Sequence, residues 1–177
     1  MLTATFDQVA TQTERRDATR QAILSSAMKQ FTDDGTSTSM ESIASAAGVT
    51  KGSIHYHFGS RIGLLRAVAE YTIGQLEQRI TRSAESGVEA WVRSVLVAQA
   101  TPKGRMLFTI HDELAASGEL ADVDPFPYFT LRLAEFEIPS PPPVVAAALI
   151  QYGRQLAFGN TSAENIDDVM ADFTKLL

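Results

Sequence analysis

The chain contains no cysteine. Disulfides, thiolate metal sites and cysteine nucleophiles are therefore excluded, and a reducing compartment is compatible. It also lacks any run of about 18 apolar residues free of charge, so no segment suits a bilayer-spanning helix. The opening stretch, MLTATFDQVATQTERR, has no apolar core of the kind a signal peptide carries. A soluble protein of the cytoplasm, with no membrane partner, is expected. Histidine is scarce, with three in the whole chain. His55 and His57 stand two apart, and such positions point to different sides of a helix, so no metal site is expected. The third occurs in His111-Asp112-Glu113, which an enzyme reading would make a base oriented by a carboxylate. Neither a nucleophile motif nor a glycine-rich phosphate loop accompanies it, so no catalytic residue and no cofactor is assigned.

An excess of positive charge is missing as well: the net charge is −6 at pH 7. Taken whole, that balance disfavours a polyanionic partner. Residues 1–66 nevertheless carry seven Lys or Arg against six Asp or Glu, whereas 67–177 carry eight against fifteen. Phosphate binding depends on where the cations sit, so an acidic body coexists with a basic contact face. With 177 residues, 45% of them apolar and 20% charged, the chain suits an ordinary globular protein.

What is abundant is apolar residues at helical spacing. Ile23, Ala27 and Phe31, flanked by Leu24 and Met28, predict a helix from about Asp17 to Asp33, stopped by Gly35. Residues 1–16 show no period and are read as a mobile arm whose Arg15 and Arg16 either reach a minor groove or are simply solvated. From about Ser60 to Ser83, Ile62, Leu65, Ala69, Ile73, Leu76 and Ile80 predict one long helix without proline. Further helices follow: Val88 to Ala100; one opened by Pro102 and ended by Gly118, with Ala115 among its inner residues; Phe126 to Glu137, with Leu131 and Phe136 inside; Val144 to Phe158 after the proline run at 139–143; and about Ala163 to Leu177, capped by Thr161 or Ser162. The fold class is all-α: an arm (1–16), a three-helix head (17–60) and a helical body (61–177).

The head holds the informative stretch, STSMESIASAAGVTKGSIHYHFGSR, residues 37–61. Met40, Ile43, Ala44 and Ala47 form the inner stripe of a short helix, which either Ser39 or a Thr38–Glu41 capping box can start. Gly48 supplies the positive φ of a sharp turn and Val49 fills the space beneath it. Thr50 then caps a second helix, Lys51 to Phe58, whose inner face is Ile54 and Phe58. Two short helices joined by a glycine turn make a helix-turn-helix, the second of which fits a DNA major groove. By reach and chemistry, Lys51 and Ser53, with Gly52 allowing close approach, are the base-edge readers. Tyr56 suits a thymine methyl and a phosphate, His57 and Arg61 are candidate phosphate clamps, and Thr50 and Ser39 lie near the backbone. Glu41 is read as a helix-dipole residue.

In order and spacing, Ile43-Ala44, Ala47-Gly48-Val49, Lys51-Gly52-Ser53-Ile54, Tyr56-His57-Phe58 and Ser60-Arg61 resemble the DNA-binding domain of the TetR family, over about Thr19 to Val68. His55 stands where that family commonly has tyrosine, and is kept as a DNA-facing residue. The resemblance implies a homodimeric regulator, most often a repressor, that binds palindromic double-stranded operator DNA and is released by a small-molecule effector. It also implies that the last two helices, about 144–177, pair with their copies. From the pattern alone, an intrachain core there is the rival reading. An apolar effector cavity in the body is implied too, with Trp91, Met106, Phe108, His111, Phe126, Phe129 and Tyr152 as candidate liners. A helical small-molecule-binding protein or enzyme that does not act on DNA is the alternative.

Overall fold

A computed structural model describes residues 11–120, 123–159 and 166–177. Among these the chain is all-α, with α1 Gln12–Asp33, α2 Met40–Ala46, α3 Lys51–Phe58, α4 Arg61–Ala84, α5 Val88–Gln99, α6 Pro102–Ser117, α7 Pro125–Leu133, α8 Pro142–Phe158 and α9 Ile166–Phe173. The expected helix over 17–33 begins earlier, at Gln12. Thr11 caps it, accepting from the Glu14 backbone while the Glu14 carboxylate accepts from the Thr11 N–H. This capping box satisfies two donors that a helix start leaves open. Arg15 and Arg16 are consequently helical, and only residues 1–10 of the expected arm lie outside the described residues.

The turn of the head forms as its sequence demands. The Ser39 side chain, and not Thr38, caps α2 by accepting from Ser42 N–H, Gly48 takes φ 69°, and Thr50 accepts from Ser53 N–H at the start of α3. Gln30 on α1 and Ser42 on α2 exchange two hydrogen bonds, from Gln30 Nε2 to the Ser42 carbonyl at 3.2 Å and from Ser42 Oγ to Gln30 Oε1 at 2.9 Å. They fix the angle between the two helices with polar contacts outside the core.

Two apolar cores run through the described residues. The first joins Ile23, Phe31, Ile43 and Ile54 of the head to Leu64, Leu65 and Val68 of α4 and to Met106, Ile110 and Leu114 of α6. It does not stop at residue 60: three short helices bury too little surface alone, and α4 and α6 complete it. The second lies among α5, α7, α8 and α9, around Trp91, Leu96, Leu133, Leu149 and Phe173. With 24 residues, α4 is about 36 Å long and packs on α1 and α3 at one end and on α5 and α6 along its length.

Several expected boundaries and inner residues shift. The seventh helix starts at Pro125, where Asp124 caps it and proline suits the first turn, and it stops at Leu133 instead of Glu137. Leu131 is 70% exposed and Ala115 also faces outward. The eighth helix starts within the proline run, at Pro142. The ninth ends at Phe173, and its expected start at Ala163 and cap at Thr161 or Ser162 lie outside the described residues. No described helix is long and apolar enough to cross a membrane.

Gly63, in the first turn of α4, sits where a Cβ would lie 2.0 Å from the Phe58 carbonyl oxygen. Only glycine lets the end of α3 come so close to α4. Gly74 on the same helix has open space around its Cβ position. Gly63→Ala is therefore expected to destabilise the fold by about 1–3 kcal/mol. Gly74→Ala should stabilise it by about 0.5–1 kcal/mol. Urea unfolding of the two variants checks the contrast.

Candidate nucleic-acid interface and internal cavity

Of the eight residues of α3, Ile54 alone is fully buried, which leaves Lys51, Gly52, His55 and Tyr56 on the outer face with Ser53 and His57 at its margins. Tyr56 is 71% exposed, far more than an aromatic ring with only a packing role requires. Its ring meets the His57 ring edge-on, with centroids 5.1 Å apart, and the Arg16 guanidinium lies 5.8 Å from its centroid. Arg20, one turn along α1, lies 5.0 Å over the Phe58 ring. The first helix thus brings two arginines to the flank of α3, each held by an aromatic face. Arg16 falls in the expected arm, and the local signal for its helical placement is Thr11 with Glu14 three positions later; Arg20 lies in the expected helix, with no local sign of its place over Phe58.

The other expected contacts divide. Thr50 and Ser53 share a 3.0 Å hydroxyl contact at the start of α3, and Ser39 is exposed at the start of α2. Lys51 Nζ lies 2.5 Å from Glu41 Oε1, so Glu41 is more than a helix-dipole residue. His55 Nδ1 is 3.2 Å from the Gly59 carbonyl and closes the end of α3. Arg61 has a structural partner: Nη1 donates to the Thr38 carbonyl at 2.8 Å and the guanidinium sits 5.8 Å from the Phe31 centroid. Among the described residues no group of three His, Asp or Glu could hold a metal ion.

Burial holds the His57 imidazole below its ordinary range, and the cations Arg16 and Arg20 add to this against the smaller opposing pull of Asp17. A base depressed in the folded chain binds fewer protons there than when unfolded. Its contribution to stability is thus full above the unfolded value near 6.5 and is lost as pH falls through the depressed folded value. An NMR titration should place His57 below 6.5, and Arg16→Ala with Arg20→Ala should move it upward.

The body holds a half-open cavity of about 250 Å³ between α4, α5, α6 and α7. Its walls are mainly apolar, from Ile73, Leu76, Val95, Leu107, Phe108 and Phe129, with Glu77, Gln99, His111 and Tyr128 among them. Burial, and then the Glu77 carboxylate, raise the Tyr128 phenol. Phe108, His111 and Phe129 line it as expected, but four of the expected liners do not. Trp91 is fully buried in the second core, edge-on to Phe129. Met106 belongs to the first core and accepts from the Thr32 hydroxyl through its sulfur at 3.3 Å. Phe126 is 37% exposed, and Tyr152 stacks near Phe173 at 5.3 Å. For Trp91, Met106 and Tyr152 helical spacing gave burial correctly or nearly so, but not which of two adjoining spaces the side chain enters; Phe126 is exposed to solvent. Among the described residues, His111 Nδ1 is buried without a hydrogen-bond partner. Asp112 Oδ1, 3.5 Å away, is already taken: both Asp112 oxygens accept from Arg154 of α8 at 2.8 Å, which holds that carboxyl below the usual range. Arg154 also covers the Phe108 ring at 5.0 Å, and Arg105 Nε donates to the Ala157 carbonyl at 2.8 Å.

A small helical head with an outward-facing second helix, set on a helical body with an apolar cavity, defines a helix-turn-helix regulator. Residues 23–68 match the family described as bacterial regulatory proteins, tetR family. Over 171 residues the chain is 32% identical to the HTH-type transcriptional repressor LfrR of Mycolicibacterium smegmatis, covering 90% of each chain. This protein belongs to the TetR family of transcriptional regulators. Its fold is similar to the crystal structure of LfrR in complex with proflavine (TM-score 0.63, 25% identity, 90% and 96% of the two chains). A TetR-family regulator from Pectobacterium atrosepticum is similar in fold too (TM-score 0.73, 22%, 95% and 96%). So is AibR in complex with isovaleryl coenzyme A and operator DNA (TM-score 0.64, 20%, 88% and 97%).

Proposed function

We propose that this chain is a repressor that binds palindromic operator DNA as a homodimer and leaves it when a small apolar molecule occupies the body cavity. The observation that carries this reading is the exposed face of α3. Lys51, Gly52 and Tyr56 are solvent-facing, and the aromatic ring among them has no core to fill. Thr50, Ser53, His55, His57 and Ser39 border that face, and Arg16 and Arg20 extend it toward phosphate. Arg61 acts first on the Thr38 carbonyl and secondarily as a phosphate contact.

Dimerisation follows from need and from surface. A two-fold pair lets two recognition helices reach successive major grooves. On α8, Val144, Ala147, Gln151, Gln155 and Phe158 form one exposed stripe without a charge. The inner face of the same helix, Val145, Leu149 and Leu156, is buried in its own chain, so α8 serves both readings of the last helices. Asp168 and Asp172 on the outer side of α9 favour a contact centred on α8, with α9 at its edge.

Release works through α6. One side of it, Phe108 and His111, faces the cavity, and the other, Met106, Ile110 and Leu114, packs in the first core with α1 and α4. A molecule that displaces α6 must therefore shift the core that seats α3. Apolar walls with Glu77 among them suit a largely apolar, flat molecule that carries at most one positive charge, in keeping with the proflavine bound by LfrR.

Duplexes selected from a randomised library should share a palindrome, and affinity for it should fall steeply with salt. Failure to enrich any duplex overturns the reading. Lys51→Ala and Tyr56→Ala are each expected to weaken operator binding by about 1–3 kcal/mol in a mobility shift, with helical circular dichroism unchanged. Ala98→Phe, which fills the cavity wall, should weaken proflavine binding in a fluorescence titration while operator binding persists.

A further inference from the structure

The first turn of α3 carries no acidic residue, although Lys51 places a cation at its positive end. That position is unfavourable for a lysine. The missing countercharge comes from the preceding helix: Glu41, in the first turn of α2, reaches Lys51 at 2.5 Å. Both side chains are half exposed or more, so the pair adds little to stability. What it changes is the charge presented to DNA.

We propose that Glu41 is a positioning residue that makes Lys51 a base reader instead of a phosphate clamp, and so sets the ratio of operator to non-specific binding. This rests on the operator-binding reading above. An ammonium has three N–H donors. One is committed to Glu41, which draws the ammonium toward the start of α2 and leaves two for acceptors such as guanine O6 and N7. As a neutral pair, Lys51 and Glu41 release no counterion from the duplex, so the contact contributes nothing to sequence-independent attraction. The carboxylate also meets an approaching phosphate with like charge, which penalises any register in which Lys51 turns to the backbone. The Lys51 hydrogen bond holds the Glu41 carboxyl below its ordinary range, so that carboxyl remains ionised at neutral pH.

The test compares wild type, Glu41→Gln, Lys51→Ala and the double variant, each titrated against the library-selected duplex and a scrambled duplex of equal length. Freed from Glu41, Lys51 becomes a phosphate contact. Glu41→Gln should then bind the scrambled duplex more tightly, with a log–log salt slope steeper by about 0.9. Between about 50 and 500 mM salt its affinity should fall roughly eightfold more than that of wild type. Its discrimination between the two duplexes should drop, by roughly five- to tenfold. In the Lys51→Ala background the same change should leave the slope where it was. Equal slopes and equal discrimination in wild type and Glu41→Gln overturn the proposal. So does a steeper slope that persists without Lys51, which is a simple loss of charge. A wild-type chain that binds neither duplex overturns the regulator reading instead, and this inference with it.

Discussion

The recognition helix has eight residues and one fully buried side chain, Ile54. A segment that short does not hold its own orientation, because helix formation is cooperative and its nucleus is costly. Its direction is set from outside, by the contact between the Phe58 carbonyl and Gly63 and by the Gly48 turn that fixes its other end. Everything the outer face offers to DNA depends on that backbone approach, since a rigid-body error in α3 moves Lys51 and Tyr56 together. Arg61 and its bond to the Thr38 carbonyl reinforce the same corner from the opposite side.

The shared first core gives this corner its reach. Because α4 and α6 supply Leu65, Val68, Ile110 and Leu114 to the packing around Ile23 and Phe31, the head has no core independent of the body. Close-packed interiors transmit displacement, so the cavity on the far side of α6 and the outer face of α3 are mechanically one system. Coupling between a ligand and an operator needs a difference in contacts between two states, and α6, with one side on each, is where such a difference can be read.

Much of this was legible in the residues. Gly48, Thr50, Ile54 and Gly118 each had one physical role at their positions, and the helices they bound fall within a residue or two of expectation. Helical period gave Leu114 and Trp91 as buried. What escaped were features that depend on partners distant in sequence. Period marks Trp91 and Met106 as inward but not which of two neighbouring spaces receives them. Nothing local in Gly63 announces the carbonyl that needs its missing Cβ, and Glu41 looked like a dipole residue because Lys51 lies ten positions away. Two helix starts carry local evidence that periodicity passes over, α1 in Thr11 and Glu14 and α7 in Asp124 and Pro125.

The two arginine ties between α6 and α8 differ in kind. Arg154 grips Asp112 with both Nη atoms, a planar fork that resists sliding, whereas Arg105 holds the Ala157 carbonyl through a single Nε donor. Together they bind α8, with its uncharged outer stripe, to the helix that separates the cavity from the first core. At the Pro102 end of α6, Gly104 sits where a Cβ would lie 2.2 Å from the Gln99 carbonyl oxygen, so that end is seated closely on the end of α5. Any shift of α6 is then carried to α8 as well as to α1 and α4.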